Sequence, residues 1–326
     1  MSKIARHAYL IVLYLVCVIG ITPQQAFAQD IPLKVYLGGY PICMEMYSDG
    51  PIVTEVNESL AGKEGVKVGD VIKSINDYVV ESRSDVYSYL QNEAVSYPLN
   101  MTVLRNDRLQ KINIVPPRDV CSGKAVLGFS MKDGLSGIGT MTCYTDDGIF
   151  YALGHSVRDV DSTSAFDCRD GKIYDCVLCG NCLPKKNVPG KLIGKSSGEA
   201  TGYISANARF GLSGRMLSEK KGTYYETANR TVIRPGKATL VTTINNEPEF
   251  FDIEIVKTSL QCTPSEKGMV IRIVDEKLIS ATKGILQGMS GSPILQNGRL
   301  VGALTHVFTN DSIYGYGVYI DWILGE

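Results

Sequence analysis

The residues best suited to chemistry lie in the segment Gly288-Met289-Ser290-Gly291-Ser292-Pro293-Ile294. A serine in a glycine-rich turn can act as a nucleophile, because the glycines let the chain bend sharply and keep the space around the hydroxyl clear. In such a turn the backbone N–H groups of Gly288 and Ser290 point the same way and form an oxyanion hole for a developing negative charge. The pattern therefore predicts Ser290 as the nucleophile of an acyl-transfer reaction.

A serine nucleophile needs a base, and the chain has only three histidines, of which His7 lies in the N-terminal segment. His155 follows an apolar run that ends in a turn, far upstream of Ser290, and it is predicted to be the general base. His306 follows Ser290 by sixteen residues, inside an apolar run typical of a strand. We expect His306 to be either a structural strand residue or, together with Thr305, part of the wall of the substrate pocket.

A carboxylate should hold the imidazole of the base in the correct tautomer. Asp275 follows the apolar run of residues 269–274, so we expect it at the partly buried end of a strand. Asp252 alternates with apolar residues and is expected to face solvent. Asp159 and Asp161 are too near His155 in sequence to be ideal, although a tight turn could present one of them.

Four cysteines fall within fifteen residues, and two C-x-x-C steps share one of them: Cys168, Cys176, Cys179 and Cys182. Four thiolates at this spacing suit a structural zinc ion. In an oxidising compartment the same residues suit two local disulfides. Both interpretations remain open, and residues 160–189 are expected to form a Cys-rich surface insertion near His155.

The elements that position these residues are mostly short strands. Residues 33–115 combine alternating runs with one or two helices, and Pro116-Pro117 is a stiff break that predicts a domain boundary. From Gly123 onward, short β-like runs and turn residues favour a sandwich or barrel.

The first of these regions resembles a PDZ domain. The resemblance is carried by two stretches, Gly38-Gly39-Tyr40-Pro41-Ile42 and the residues 61–72 that read AGKEGVKVGDVI. It implies that residues 38–42 form a backbone nest that binds the C-terminal carboxylate of a peptide.

The second region resembles chymotrypsin-like serine peptidases in its G-x-S-G-x-P turn. The whole layout is similar to that of the stage IV sporulation protein B family, serine peptidases of endospore-forming bacteria. The resemblance is carried by GMSGSPI at 288–294, by GRLVGALTHVFTND at 298–311 and by YGVYIDW at 316–322. It implies a catalytic triad of His155, Asp275 and Ser290.

The family resemblance also implies a biological role. Such a peptidase is exported to the space between the forespore and mother-cell membranes, where it cleaves a membrane-bound regulator and itself. That cleavage triggers regulated intramembrane proteolysis and late sigma-factor activation. The PDZ domain guides both cleavage events. No cofactor is required for catalysis, although zinc could occupy the Cys cluster.

The N-terminal residues indicate export. Lys3 and Arg6 precede an apolar run at 8–21, and Ala26-Phe27-Ala28 forms an A-x-A cleavage pattern, so residues 1–28 are expected to be a signal peptide or an N-terminal anchor. Before cleavage this segment would associate the chain with the membrane. The net charge is −1 from 33 basic and 34 acidic residues among 326, which makes a nucleic-acid partner unexpected.

The sequence therefore predicts a mainly β protein, with an N-terminal α+β PDZ domain at 31–116 and a chymotrypsin-like double β-barrel at 117–326. The expected partners are protein or peptide substrates. Two alternatives are a catalytically inactive PDZ adaptor and a general envelope quality-control peptidase. Labelling of Ser290 by an active-site probe would exclude the first, and narrow substrate specificity would exclude the second.

Overall fold

The structure is a computed structural model that describes residues 33–92, 96–106, 108–121, 123–159, 165–217 and 222–325. The expected signal segment at 1–28, Asp161 and the start of the Cys-rich segment lie outside these residues. Among the described residues, no helix is both long and apolar enough to cross a membrane.

Strands dominate the described chain, which confirms the predicted mainly β class. The strands are β1 (Lys34–Leu37), β2 (Pro41–Val56), β3 (Val71–Ile75), β4 (Tyr78–Val79), β5 (Leu99–Arg105), β6 (Arg108–Ile114), β7 (Phe129–Tyr144), β8 (Ile149–Ala152), β9 (Asp170–Cys182), β10 (Lys191–Ala208), β11 (Gly211–Met216), β12 (Tyr224–Glu226), β13 (Gly236–Thr243), β14 (Pro248–Thr258), β15 (Met269–Ile273), β16 (Pro293–Gln296), β17 (Arg299–Val307) and β18 (Tyr314–Tyr319). The described α-helices are α1 (Arg83–Leu90), α2 (Glu276–Thr282) and α3 (Ile320–Ile323), and single turns of other helix types occur at Glu58–Gly62 and Arg230–Val232.

A small sheet packed on α1 forms the PDZ unit. The end of β2 pairs with β3, β3 pairs with β5, and β5 pairs with β6. Helix α1 begins at Ser82, because the Ser82 hydroxyl accepts from the N–H of Asp85 while the Asp85 carboxylate accepts from the N–H of Ser82. Val86 is fully buried against this sheet, and burial of such a side chain contributes about 1.5–3 kcal/mol.

Six of the described strands close the first barrel in the order β2-β9-β10-β11-β8-β7, because β7 pairs with β2 again. The burial pattern of β2 shows why it lies in a barrel wall. Ile42, Met44 and Met46 are buried in the barrel core, while Cys43 and Glu45 alternate with them on the outer face.

Strands β2 and β7 belong to both the PDZ unit and the first barrel. Residues 42–47 of β2 pair with β9, whereas Ile52 pairs with β3. Between them the register shifts at a bulge, where the Ser48 hydroxyl donates to the carbonyl of Gly50 at 2.6 Å. Strands β2 and β7 therefore run from the PDZ unit into the first barrel, and the boundary between 31–116 and 117–326 stays a prediction.

The Cys-rich segment is also different from the predicted surface insertion. Its residues 170–182 form β9, which pairs with β2 on one side and with β10 on the other. A segment hydrogen-bonded on both sides is part of the barrel wall. Only the outer half of the β9–β10 hairpin projects beyond β2.

The second barrel closes in the order β13-β14-β15-β18-β17-β16. Its core is apolar and includes Leu240, Phe251, Ile271 and Leu304, each at most 1% exposed. The turn predicted to carry the nucleophile lies directly before β16, at the side that faces the first barrel.

The two barrels share a packed interface, which confirms the predicted double β-barrel. Val35 from β1 and Cys143 from β7 are fully buried in one cluster with Val241, Leu300 and Val318 of the second barrel. Side chains packed this densely hold the two barrels in one arrangement, so residues on facing strands can build a single site.

Candidate active site

The nucleophile turn is shaped by two glycines in the left-handed region. Gly288 and Gly291 both have φ of +98°. A Cβ on Gly291 would lie 2.1 Å from the carbonyl oxygen of Thr140 on β7. A side chain at this position would therefore force the second barrel away from the first, which explains the glycine after Ser290.

The peptide units around Gly288 are held on two sides. The carbonyl of Gln287 accepts from the N–H of Leu192 on β10 at 2.9 Å. The carbonyl of Gly288 accepts from the hydroxyl of Thr140 at 2.7 Å. Because the peptide bond is trans, anchoring the Gln287 carbonyl turns the N–H of Gly288 in the opposite direction.

Two donors remain available beside the nucleophile. The N–H groups of Gly288 and Ser290 have no acceptor in the described part of the chain. Unpaired donors next to a serine hydroxyl are what an oxyanion hole requires. These unpaired donors are compatible with an oxyanion hole at Gly288 and Ser290, which stays a prediction.

His155 lies in the turn after β8, where Leu153 and Gly154 both have φ of +71°. Its Nδ1 is 2.9 Å from the carbonyl oxygen of Ser156. A carbonyl only accepts, so Nδ1 carries the proton and Nε2 keeps its lone pair. Burial lowers the pKa of His155, which keeps the ring neutral and able to accept a proton near pH 7.

The structure brings His155 and Ser290 to the same stretch of β17. Ser290 Oγ donates to the carbonyl oxygen of Thr305 at 2.7 Å. The rings of His155 and His306 lie 4.8 Å apart between centroids. Thr305 is buried, and Thr305 and His306 lie next to the predicted nucleophile and the predicted base; their role as a pocket wall stays a prediction.

The second histidine is held in its neutral form. Burial and the neighbouring His155 lower the pKa of His306 to about 4. Its Nδ1 is buried and has no hydrogen-bond partner among the described residues. His306 is therefore a neutral polar group in the cleft.

Asp275 is not brought to His155. His306 pairs with Tyr316 across β17 and β18, and Tyr316 pairs with Val270 on β15. Asp275 follows Val270 by five residues, which is roughly 16 Å of extended chain at about 3.3 Å per residue. The expected contact between Asp275 and the imidazole of His155 is absent from the described site.

Asp275 instead begins helix α2. Its Oδ1 accepts from the N–H of Leu278 at 3.0 Å and its Oδ2 accepts from the N–H of Asp252 at 3.3 Å. Asp275 is thus the N-cap of the short helix that leads to the nucleophile turn. Of the other candidates, Asp159 pairs with Lys132 at 2.8 Å.

A carboxylate that the sequence did not single out lies nearer the base. Glu266 pairs with Arg158 at 3.5 Å, and its backbone carbonyl is 3.4 Å from the Thr305 hydroxyl. Its negative charge raises the pKa of His155, against the larger lowering caused by burial. No local pattern marks Glu266, because it lies in an irregular loop and reaches the site only through the barrel fold.

The PDZ unit has a groove, but residues 38–42 do not form it. The N–H groups of Gly38 and Gly39 donate to the carbonyls of Thr142 and Met141 on β7. Ile42 is fully buried in the first barrel. These residues have neither free donors nor an exposed edge, so the predicted role of residues 38–42 in carboxylate binding is wrong.

The groove lies instead between α1 and the start of β7, with a volume of about 690 Å³. Tyr87 and Leu90 of α1 face Leu127 and Phe129 across it. The N–H groups of Leu127 and Gly128 have no acceptor in the described chain, and Gly128 has φ of +74°. Residues 127–128 therefore have unpaired backbone donors beside the groove, which Gly38 and Gly39 do not have.

Sequence comparison decides the family. A profile described as SpoIVB peptidase S55 matches residues 123–324, and a PDZ domain profile matches residues 36–115. The chain belongs to the SpoIVB peptidase S55 family. This S55 member is therefore a serine peptidase with an N-terminal PDZ domain, and the matched residues include His155 and Ser290.

Structural comparison gives weaker similarity. Two structures of the HtrA-type protease AlgW with decapeptide match at 11% and 12% identity, with TM-scores of 0.37 and 0.35. The matches cover 61% and 64% of this chain, and 52% and 57% of the AlgW chains, so the S55 chain spans little more than half of their length. No similar sequence was found among curated proteins.

The cysteines of this S55 peptidase do not form the predicted zinc site. Among the described residues, no group of three or more His, Cys, Asp or Glu side chains is arranged to hold a metal ion. The Cys168 thiol donates to the carbonyl of Asp170 at 3.2 Å, away from the other three. Cys179 and Cys182 are exposed, and Cys176 contacts Cys43 of β2 instead.

Proposed function

We propose that this S55 peptidase is a serine endopeptidase in which Ser290 is the nucleophile and His155 the general base. The observation that carries the proposal is the pair of unpaired N–H groups at Gly288 and Ser290, directly beside the Ser290 hydroxyl. Nothing else in the described turn uses these donors, so both are available to a tetrahedral oxyanion.

The reaction follows from the protonation state of the base. Nε2 of His155 takes the proton of Ser290 Oγ as the oxygen attacks the scissile carbonyl. To do so, Ser290 must exchange its hydrogen bond to Thr305 for one to His155, a change that substrate binding can drive. His155 then returns the proton to the leaving amine, and water repeats the cycle on the acyl-enzyme.

In this proposal, two groups beside His155 take the two roles that one aspartate has in an ordinary catalytic triad. The Ser156 carbonyl holds the tautomer, while the Glu266 carboxylate favours the imidazolium that forms during the reaction. A carbonyl cannot neutralise an imidazolium, so we propose that the charge of Glu266 supplies that part.

A fluorophosphonate probe tests the chemistry, because it reacts only with an activated serine. We expect the wild type and Ser292→Ala to be labelled and Ser290→Ala to be unlabelled. Ser292 is the matched control, since its hydroxyl lies in the same turn but is buried against Thr242. Absence of labelling in the wild type would contradict the proposal and favour the inactive PDZ adaptor.

We further propose that the chain is an exported signalling protease of sporulating cells, which cleaves a membrane-bound regulator and itself. The family description, the PDZ groove and the signal-like N-terminal segment support this role. Purified wild type should cut tagged Ser290→Ala chain at one or a few sites and leave unfolded casein intact. Broad degradation of casein would favour the quality-control alternative.

A further inference from the structure

The β2–β9 pair brings together two cysteines that are far apart in sequence. Cys43 lies opposite Tyr174 in this antiparallel pair, and Cys176 follows Tyr174 by two residues. Residues two apart on a strand share a face, so both thiols lie on the outer face of the first barrel as diagonal neighbours. Each thiol lies near enough to the other to affect its pKa, and both residues are free cysteines in this structure.

The neighbouring strands leave space for this contact. A Cβ on Gly194 of β10 would lie 2.6 Å from the Cys176 sulfur, so the absence of a side chain there makes room for the thiol. The same position lies 3.4 Å from Ile138 of β7, which pairs with Cys43. The Cys176 sulfur thus lies in the space that Gly194 leaves open, and Cys43 is placed beside it only by the pairing of β2 with β7 and β9.

We propose that Cys43 and Cys176 form a disulfide in the exported protein. One thiolate attacks the disulfide of an external thiol–disulfide reagent, which gives a mixed disulfide and releases one thiol. The second cysteine then attacks the mixed disulfide and releases the other thiol. Two electrons pass to the reagent, and the two protons of the cysteines end on the released thiols.

The bond would lie at the base of a segment that reaches the active site. We call residues 177–195 the arm, the outer half of the β9–β10 hairpin. The arm contacts the second barrel, where the N–H of Leu178 donates to Asn246 at 3.2 Å. Leu192 of the arm also donates to the Gln287 carbonyl and so orients the N–H of Gly288. Linking Cys43 to Cys176 would fix the base of the arm to β2.

This consequence for Gly288 rests on the proposed function, but the disulfide does not. The two thiols are protonated at neutral pH, because burial raises the pKa of Cys176 to about 12 and that of Cys43 above its usual value. Oxidation is therefore expected to be slow without an oxidoreductase and faster in alkaline buffer. The bond, once formed, is shielded by the same burial.

Peptide mapping tests the pairing directly. In a Cys179→Ser/Cys182→Ser background, Cys176 is the one thiol left in the tryptic peptide of residues 173–185, and Cys43 is the one in that of residues 35–63. After incubation with oxidised glutathione in alkaline buffer, we expect these peptides to be linked, with the mass of two hydrogens lost. The link should vanish in Cys43→Ser and persist in Cys262→Ser, whose thiol is exposed.

Two results would overturn the proposal. One is full alkylation of both Cys43 and Cys176 after oxidation of the folded chain. The other is a Cys176–Cys179 link, mapped in the wild type, as the dominant product. Hydrogen exchange then measures the consequence: the Leu192 amide should exchange more slowly in the oxidised wild type than in the reduced form, with no difference in Cys43→Ser. A mapped disulfide without this change would leave the pairing intact and remove its link to catalysis.

Discussion

The carboxylate of Asp275 could act in two different ways, as a helix N-cap or as a member of a catalytic triad. As an N-cap it satisfies the Leu278 N–H and holds the helix that leads to Ser290. As a member of a triad it would have to touch His155, whereas its described hydrogen bonds are to the N–H groups of Leu278 and Asp252. The structure therefore makes Asp275 a positioning residue that acts through α2.

Substitution by asparagine distinguishes these functions. Asparagine caps helices about as well as aspartate, so Asp275→Asn should keep near-normal kcat, whereas Asp275→Ala should lose about 1 kcal/mol of stability and some activity. Measured kcat and urea unfolding of both variants check this. If Asp275→Asn lost kcat by about 10⁴-fold with unchanged stability, the carboxylate would be acting on the base as the family resemblance implies.

The two histidines predict how stability depends on pH. The pKa of His306 is about 4 in the folded chain and near 6.5 when unfolded, so the unfolded state binds more protons between these values. Stability is therefore complete above about pH 6.5 and is lost as the pH falls toward 4. His306→Gln should flatten this dependence in denaturant titrations at several pH values. An unchanged slope would show that His306 is not the responsible group, leaving His155 as the other candidate.

Among the strands, β7 makes the side-chain hydrogen bonds that hold the nucleophile turn in place. Thr140 and Thr142 are both buried on β7, and their hydroxyls donate to the carbonyls of Gly288 and Gly291 at 2.7 and 2.8 Å. A strand of the first barrel therefore holds the nucleophile turn of the second. Only the Gly288 bond restrains a residue that supplies an oxyanion donor.

Because Thr140 contacts Gly288 and Thr142 contacts Gly291, the valine variants of the two threonines form a matched pair. Thr140→Val and Thr142→Val each leave a buried carbonyl unpaired, so each should cost about 1–3 kcal/mol of stability. Thr140→Val should in addition lower kcat by about a hundredfold, because Gly288 loses the restraint on its carbonyl side and its N–H can then move away from the oxyanion position. Steady-state kinetics and chemical unfolding of the two variants compare these effects. Equal losses of kcat would mean that the turn depends on general packing.

The turns and strands differ in how far they could be predicted from the sequence. The turn at 288–294 was predictable because glycine, serine and proline constrain a turn locally, and His155 could be proposed as the base because few histidines compete. The role of residues 38–42 was mispredicted because a Gly-rich hairpin and a carboxylate loop look alike until the partner strand is known. That partner, β7, lies about a hundred residues downstream. Cys43 and Cys176 are also far apart in sequence, so their proximity could not be predicted before the pairing of β2 with β9 was known.

At the scale of the whole molecule, β2 and β7 each run through both the PDZ unit and the first barrel. Strand β7 lines the peptide groove near Phe129 and holds the nucleophile turn at Thr140. Strand β2 likewise runs from the small sheet into the first barrel. A strand that is hydrogen-bonded along its length is stiff, so the two units should unfold together.

A buried ion pair allows this cooperativity to be tested. In the PDZ unit Arg105 donates two hydrogen bonds to fully buried Asp70, each at 2.6 Å. Arg105→Leu leaves that carboxylate unpaired and should cost about 3–5 kcal/mol. The single tryptophan of the chain, Trp322, lies in α3 beside the second barrel, with Arg230 over its ring at 3.9 Å. Its fluorescence therefore reports unfolding far from the substitution.

We expect Arg105→Leu to move the midpoint of the Trp322 unfolding transition in urea to lower concentration while the transition stays single. Lys111→Leu is the control, because Lys111 is exposed in the same sheet and has no described ion-pair partner. That variant should leave the midpoint in place. The coupling would be disproved by an unchanged Trp322 transition together with separate loss of the PDZ unit, seen as rapid hydrogen exchange confined to β3, β5 and β6. In that case the continuity of β2 and β7 would transmit no stability between the peptide groove and the catalytic cleft.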